Sequence, residues 1–374
     1  MVLYLTYNDQ PSGVYWSQVT DVVAHLNAIG QEEVKLVALV SVRDLRHTKA
    51  RIKARSPGAW VIPMVPRMKR WRWNMPVLAG VCRMLHPRAV ICRGPFATSM
   101  ALRMRRRGLV QRVCYDGRGA YAAEWEEYRI IDDDALIAEF RPVEREAVLQ
   151  SDFRIAVSQA LVAHWQERYA YDGEGHAVIP CTLGVAPQDP APLERERIRH
   201  ALGYAPTDLV LVYAGSTAGW QSFGLLEMLL TRLMKQQPEV KVLFLSRADA
   251  NTTRLMEGQP DRVQVRWLDP AEVPGTLQAC DHGILVREDS LTNRVASPTK
   301  FAEYLAAGLP VIISPDLGDF SALVHQEGLG VVVEGSTVPV LHPVAEEERQ
   351  RLRGVARERF TKAAYDPAYR RLLG

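Results

Sequence analysis

Residues 297–315 read SPTKFAEYLAAGLPVIISP, a complete loop, helix, stop and strand. Pro298 suits the first helical position, because its fixed φ is already helical and its missing N–H needs no partner there. Ser297, ahead of a proline, is held extended, as an N-cap is. Phe301, Leu305 and Gly308 recur at helical spacing and mark the buried stripe. Gly308 stands where a helix ends in a left-handed residue, and 309–314 is a short β-branched apolar run, the pattern of a buried strand. Lys300 and Glu303, three apart, share the face turned away from Phe301 and Leu305.

A helix start with free N–H groups and an ammonium in its first turn attracts an anion. A carboxylate one turn further in can accept hydrogen bonds from a vicinal diol. Phosphate followed by diol is the layout of a nucleoside diphosphate. The same two side chains also suit a solvated ion pair, worth about 0.2–0.5 kcal/mol.

Outward from this stretch, apolar runs alternate with helical patterns along the chain, which predicts an α/β fold with parallel sheets. Strands are expected over 2–6, 34–41, 60–65, 89–92, 112–115, 154–157 and 177–180, with helices such as 15–27 and 160–169 between them. GVAPQDPAPLERE at 184–196 interrupts the pattern as a polar, proline-containing linker. A second series follows over 209–214, 240–245, 263–267, 283–286, 309–314 and 330–333, ending in a charged helical tail from 345. The reading is an N-terminal domain over 1–184, a linker over 185–196 and a C-terminal domain over 197–355, followed by a last segment over 356–374. Two open parallel sheets in series place ligands at strand carboxyl ends, in the crevice between domains.

Composition bounds the function. A chain of 374 residues, 47% hydrophobic and 24% charged, reads as soluble, globular and longer than one ordinary core. No apolar run approaches the roughly 18 residues of a membrane span. MVLYLTYNDQPSG has no basic n-region and reads as a first buried strand rather than a signal peptide. Five scattered cysteines with no C-x-x-C indicate a reduced, cytoplasmic chain. The nine histidines order into neither a catalytic triad nor a metal cluster. A D-x-D lies within Asp132, Asp133 and Asp134, but in an acidic, helix-rich stretch, so a solvated acidic cap is expected and no bound metal.

The net charge of +3 conceals a basic segment: residues 43–107 hold 17 Lys and Arg against one acidic residue, Asp44. An anionic partner is implied. Within it, PRMKRWRWNMPVLAG interleaves Lys69, Arg70 and Arg72 with Trp71 and Trp73, a composition suited to an anionic membrane surface. Nucleic acid is the rival, but no nucleic-acid-binding motif is present. An acidic protein face is the third option.

Three further loops follow strands. VYAGSTAGWQSFGLL places Gly215, Ser216 and Thr217 where backbone N–H groups and hydroxyls meet a phosphate, or where a plain turn stands. TYNDQPSGVYWSQ offers Gly13 for close backbone approach. Arg93 in CRGPFATS, and Asp116 and Arg118 in VCYDGRGAY, end two strands. Arg118, between glycines, is expected to be exposed and mobile, suited to an anion or to sugar hydroxyls.

SPTKFAEYLAAGLPVI resembles the signature of GT-B glycosyltransferases of the large family 4 type. Other stretches are similar in order: SGVYWSQVTDVVAHL to the first glycine loop and helix, SDFRIAVSQALVAHW and HAVIPCTLGV to the close of the first domain, LVYAGSTAGWQSFGLL to the opening of the second, and FTKAAYDPAYRRLL to a last helix crossing back to the first domain. The resemblance implies two Rossmann-like domains facing a cleft, and a metal-independent hexosyl transfer with retention from a UDP- or GDP-sugar. The acceptor it implies is a glycan or a lipid-linked sugar, as in cell-surface polysaccharide synthesis. It implies that Glu303 holds the ribose hydroxyls, that Ser297, Thr299 and Lys300 meet the diphosphate with Gly215 and Ser216, and that the loop carrying Asp289 and Asn293 cups the sugar. Arg118, Lys300 and Glu303 are the expected catalytic residues, and Arg93, Asp116 and Arg118 the expected sugar or acceptor contacts. Two departures stand out. The first glutamate of the family's E-x7-E pair falls on Val295, and the Arg and Lys that commonly follow the phosphate loop are missing, leaving Lys300 as the main cation. A non-catalytic nucleotide-sugar-binding or scaffold protein, and a nucleotide-sugar epimerase, are the alternatives.

Overall fold

The computed structural model describes residues 1–30, 32–189, 191, 193–215, 221–335 and 337–373. The chain forms two compact units, Met1–Gly184 with Lys362–Gly374, and Val185–Thr361.

The first unit is a parallel seven-stranded sheet in the order β3-β2-β1-β4-β5-β6-β7. Its strands are β1 (Val2–Tyr7), β2 (Val34–Val40), β3 (Trp60–Pro63), β4 (Ala89–Arg93), β5 (Arg112–Gly117), β6 (Phe153–Ala156) and β7 (His176–Val178). The second unit is a parallel six-stranded sheet, β10-β9-β8-β11-β12-β13. It comprises β8 (Leu209–Ala214), β9 (Val240–Leu245), β10 (Val263–Arg266), β11 (His282–Leu285), β12 (Val311–Ile313) and β13 (Gly330–Val332). All thirteen expected strands are present, within a few residues of their expected ends. Strands covered on both faces by helices read as unbroken apolar runs; LVLVYA of β8 is buried at every position.

In each sheet the chain order reverses once, between β1 and β4 and between β8 and β11. At such a point neighbouring strands send their loops to opposite faces, which opens a crevice at the carboxyl ends.

Local chemistry explains where the elements depart from expectation. The helix expected over 15–27 contains a π-helical stretch, Trp16–Thr20, before Asp21–Ile29. Thr20 Oγ1 donates to the Trp16 carbonyl at 2.8 Å, and the Asp21 N–H bonds that carbonyl too. Hydrophobic periodicity does not register the extra residue. Residues 356–359 finish the helix Glu346–Arg359 in the second unit, and the short helix Asp366–Leu373 packs Tyr369 and Leu372 into the first unit's core.

At the amino-terminal edge of the second sheet, opposite its crevice, the buried Asp281 carboxylate collects three guanidinium groups. Arg195, Arg199 and Arg349 approach it at 2.6, 3.1 and 2.9 Å, and the Val210 N–H donates to it at 2.8 Å. This cluster binds the helices Glu194–Ala201 and Glu346–Arg359 to the start of the sheet. Among the described residues no helix is long and apolar enough to cross a membrane.

Candidate functional site

In the second unit the site grows from the stretch at 297–315. The helix spans Thr299–Ala306 with Pro298 as its N-cap, φ −61° and ψ 125°. The helix therefore starts one residue later than expected, because the extended ψ of Pro298 leaves it outside the first turn. Gly308 has φ +74°, the left-handed stop. Phe301 stacks on Phe320 with centroids 4.1 Å apart and meets Phe360 edge-on, which anchors the helix from below.

Tyr304 fixes its orientation. The ring lies on Gly283, where an added Cβ would fall 2.3 Å from it, so this strand position admits only glycine. The Tyr304 hydroxyl accepts the Ala214 N–H at 2.9 Å and donates to the Ile284 carbonyl at 3.3 Å. The helix is thus tied to the last residue of β8 and to β11, across the point where the order reverses. Gly215 follows with φ +150°, a conformation closed to other residues, and among the described residues nothing lies within 4 Å of where a Cβ would stand.

Lys300 and Glu303 lie together and half-exposed, Nζ donating to Oε2 at 2.5 Å. The loop after β11 is held from several sides. The Glu288 N–H donates to Ser222 Oγ at 2.8 Å, joining this loop to the one after β8. The Arg287 N–H donates to Ser314 Oγ at 3.1 Å. A cavity of about 320 Å³ lies within this unit, with Arg287, Glu288, Asp289 and Ser314 in its lining.

The expected donor residues divide. Lys300, Glu303, Thr299, Ser297 and Gly215 fall at the crevice end of the unit. Ser216 and Thr217 lie outside the described residues. The Asn293 side chain is buried, donating to the Glu288 carbonyl at 3.1 Å and accepting from Arg287 at 3.3 Å, and so it braces the loop. Asp289 is exposed at the cavity rim, paired to Arg294 at 2.5 Å, and this pairing holds its carboxyl below the usual range. Val295 is 2% exposed, a core residue of the bracing turn. Trp267, placed at a strand end from sequence, stands just past β10 with 66% exposure and Arg247 over its ring at 4.7 Å. A large exposed indole ending a β-run was the available signal.

In the first unit the carboxyl ends of β1, β4 and β5 build a charged nest. Asp116 is fully buried; Tyr4 donates its hydroxyl to Oδ2, Arg118 Nε lies 2.7 Å from Oδ1, and Arg93 Nη1 lies 3.9 Å from Oδ2. Asp9, in the loop after β1, approaches Arg93 Nε at 3.6 Å. Arg93 is 11% and Arg118 6% exposed, so Arg118 is not the exposed side chain expected: it turns inward to Asp116. Burial pushes the Asp9 carboxyl and the Tyr4 hydroxyl up, with Arg93 opposing the shift at Asp9. Gly13 opens the short helix Gly13–Tyr15, and the space beside its Cα is open, as it is at Gly119.

Glu144 holds the next helix, Tyr121–Tyr128. Its carboxylate accepts the Tyr121 and Ala122 N–H groups at 3.0 and 3.1 Å and the Tyr169 hydroxyl at 2.9 Å. Burial outweighs these bonds and pushes its carboxyl up to about 7.

Of the expected membrane residues, Trp71 is corrected. It is 0% exposed, packed on Phe96 with its Nε1 donating to Glu139, because the core of the first unit absorbs the larger apolar surface. Trp73 is 64% exposed beneath Arg70, while Lys69 and Arg72 pair with Asp133 and Glu139. Asp133 caps the helix Asp134–Gln150 by accepting the Leu136 N–H at 3.2 Å, the acidic cap expected there. The helix Leu45–Arg55 buries only Ile52, and Arg51 and Arg55 cover Trp16.

No family model matches the chain, and no curated protein matches it in sequence. Among solved structures, HepE of Anabaena in complex with UDP superposes over 100% of this chain and 99% of its own, with TM-score 0.71 and 15% identity. A glycosyltransferase of Rickettsia africae gives 0.68 at 13% identity, over 100% and 97% of the two chains. WaaG, a glycosyltransferase of lipopolysaccharide biosynthesis, gives 0.63 at 14%, over 100% and 95%. The likeness establishes the fold: two parallel α/β sheets in series, of the GT-B type.

Proposed function

We propose that this protein is a glycosyltransferase that takes a sugar from a nucleotide-diphospho-sugar, a UDP-sugar first, and passes it to a glycan or lipid-linked acceptor. The observation carrying the reading is the convergence, at one reversal point, of the start of Thr299–Ala306, Lys300, Glu303 and Gly215, tied by Tyr304. Crystals of the structurally similar HepE contain UDP and UDP-glucose, which supports the choice of base.

In this reading the diphosphate takes Lys300 and the first N–H groups of the helix, and the ribose hydroxyls take Glu303, in place of the ion pair between the two. Negative charge grows on the departing diphosphate in the transition state, and fixed dipoles with one ammonium stabilise it there without reorganising. Trp267 offers a flat face to the base. Retention of configuration, independence from metal, a hexosyl donor, a role in cell-surface polysaccharide synthesis and a cytoplasmic site all belong to the proposal. So does docking on an anionic leaflet through Trp73, Lys69, Arg70, Arg72 and the basic helix Leu45–Arg55.

Calorimetry against UDP, GDP and ADP, followed by donor turnover, tests it. Saturable UDP binding with turnover of a UDP-sugar is expected; no binding to any of the three overturns the reading. Val295 in place of a carboxylate favours a second reading, a binding protein without transfer, which predicts nucleotide binding and no sugar released or moved.

A further inference from the structure

The nest at the carboxyl ends of β1, β4 and β5 carries more guanidinium than its carboxylates engage. Arg93 and Asp116 are register partners on β4 and β5, and Arg118 follows one residue after β5 ends. Both arginines are charged at every physiological pH; Arg118 turns toward the buried Asp116, and Arg93 lies between Asp116 and Asp9. Their contacts with Asp116 are ion pairs rather than hydrogen bonds: Arg118 Nε lies 2.7 Å from Oδ1 without hydrogen-bond geometry, and Arg93 Nη1 stands 3.9 Å from Oδ2, too far for one. Among the described residues Arg118 Nη1 and Arg93 Nη1 are both buried without a hydrogen-bond partner. Leaving a buried charged donor unpaired is costly, and a simple structural strap would close these bonds.

The second acid, Asp9, faces Arg93 and not Arg118. It lies in a loop, stands 3.6 Å from Arg93 Nε, beyond hydrogen-bond distance, and is more exposed than Arg93, 31% against 11%. Burial also works against its charge. Gly13, four residues after Asp9, and Gly119, next to Arg118, have open space among the described residues where a Cβ would stand. The nest is therefore closed below by Tyr4 and Asp116 and covered above by a carboxylate that an incoming anion can replace.

We propose that the substrate received by this unit carries an anionic group, a carboxylate or a phosphate ester, bound by Arg93 and Arg118 in exchange for Asp9. The planar guanidinium presents paired N–H groups that match two oxygens of either group. The inference rests on the transferase reading only in calling that substrate the acceptor; the anion site itself stands without it.

The test uses the full chain carrying Lys300→Ala, which weakens the other phosphate-binding position. Thermal stability is followed during titration with inorganic phosphate and with acetate, against chloride at equal ionic strength. A saturable stabilisation by phosphate, acetate or both is expected, and the stronger of the two names the group. Adding Arg93→Gln weakens it about tenfold or more. Adding Asp9→Asn strengthens it, because the competing carboxylate is gone; a purely structural nest loses stability on this change and gains no anion response. Arg118→Lys supplies a second weakened variant should Arg93→Gln fail to fold. An anion response no greater than that of chloride, or one unchanged by Arg93→Gln and Asp9→Asn alike, overturns the inference. UDP binding by the parent chain is measured in parallel, so loss of the donor reading and loss of the anion site are seen separately.

Discussion

The Tyr304 hydroxyl accepts the Ala214 N–H at 2.9 Å while its ring covers Gly283. One side chain thereby ties a helix start to the strand end where the second sheet reverses its order. Tyr304→Phe keeps the ring and removes the acceptor, leaving a buried N–H unpaired at a cost of about 1–3 kcal/mol. A urea midpoint lowered accordingly, together with weaker UDP binding, is the expected result. Unchanged UDP affinity would show that the tie does not position the site.

Lys300→Ala should lower kcat/KM for the donor by about tenfold or more, equivalent to about 1.4 kcal/mol. The side chain is half-exposed and paired only to Glu303, so the melting temperature should hardly move. Full turnover in a folded variant would refute its role. Glu303→Ala should chiefly weaken nucleotide binding, read as a raised Kd for UDP.

Trp267→Ala removes an exposed indole that the core does not need. Loss of a base platform costs about 1–3 kcal/mol of binding, so UDP affinity should fall while the urea midpoint stays. An equal fall in affinity for pyrophosphate would contradict a base-specific role.

Asp281→Ala should be severe. It strips the shared partner from three guanidinium groups, two of them nearly buried, and breaking such a cluster costs about 3–5 kcal/mol. Circular dichroism against urea should show a large loss of stability, and Asp281→Asn should fail to restore it, because the charge is what the arginines need.

Glu144 sets a pH dependence. Its carboxyl rises from 4.5 unfolded to about 7 folded, so between those values the folded state binds more protons than the unfolded one. Stability contributed by this group is fully present below about pH 4.5 and is lost as pH rises through 7. Urea midpoints measured from pH 5 to 8 should decline, and Glu144→Gln should remove that part of the slope. An identical slope in the variant would exclude Glu144 as its source.

The alternating series of apolar runs was legible because parallel strands are covered on both faces and must be apolar throughout. The stop at Gly308, the cap at Asp133 and the adjacency of Lys300 and Glu303 were legible for a like reason: each depends on neighbours within a few residues. Arg118 and Trp71 were misplaced because burial depends on what the fold packs around them: Arg118 turns back onto the buried Asp116 at the end of its own strand, and Trp71 packs on Phe96 of a later helix. Asn293 braces its own loop, through the Glu288 carbonyl and the Arg287 side chain five and six residues away, a role that its spacing does not display.

Local order along the chain thus determined that this protein is two α/β units and where each strand and its loop would lie, since those follow from period, glycine and proline. Only the folded sheets decided which loops meet, and so which charges are buried together. The nest of Tyr4, Asp116, Arg93 and Arg118 joins positions more than a hundred residues apart. Electrostatic energy depends on distance and burial in space, and neither is written in the spacing of residues along the chain.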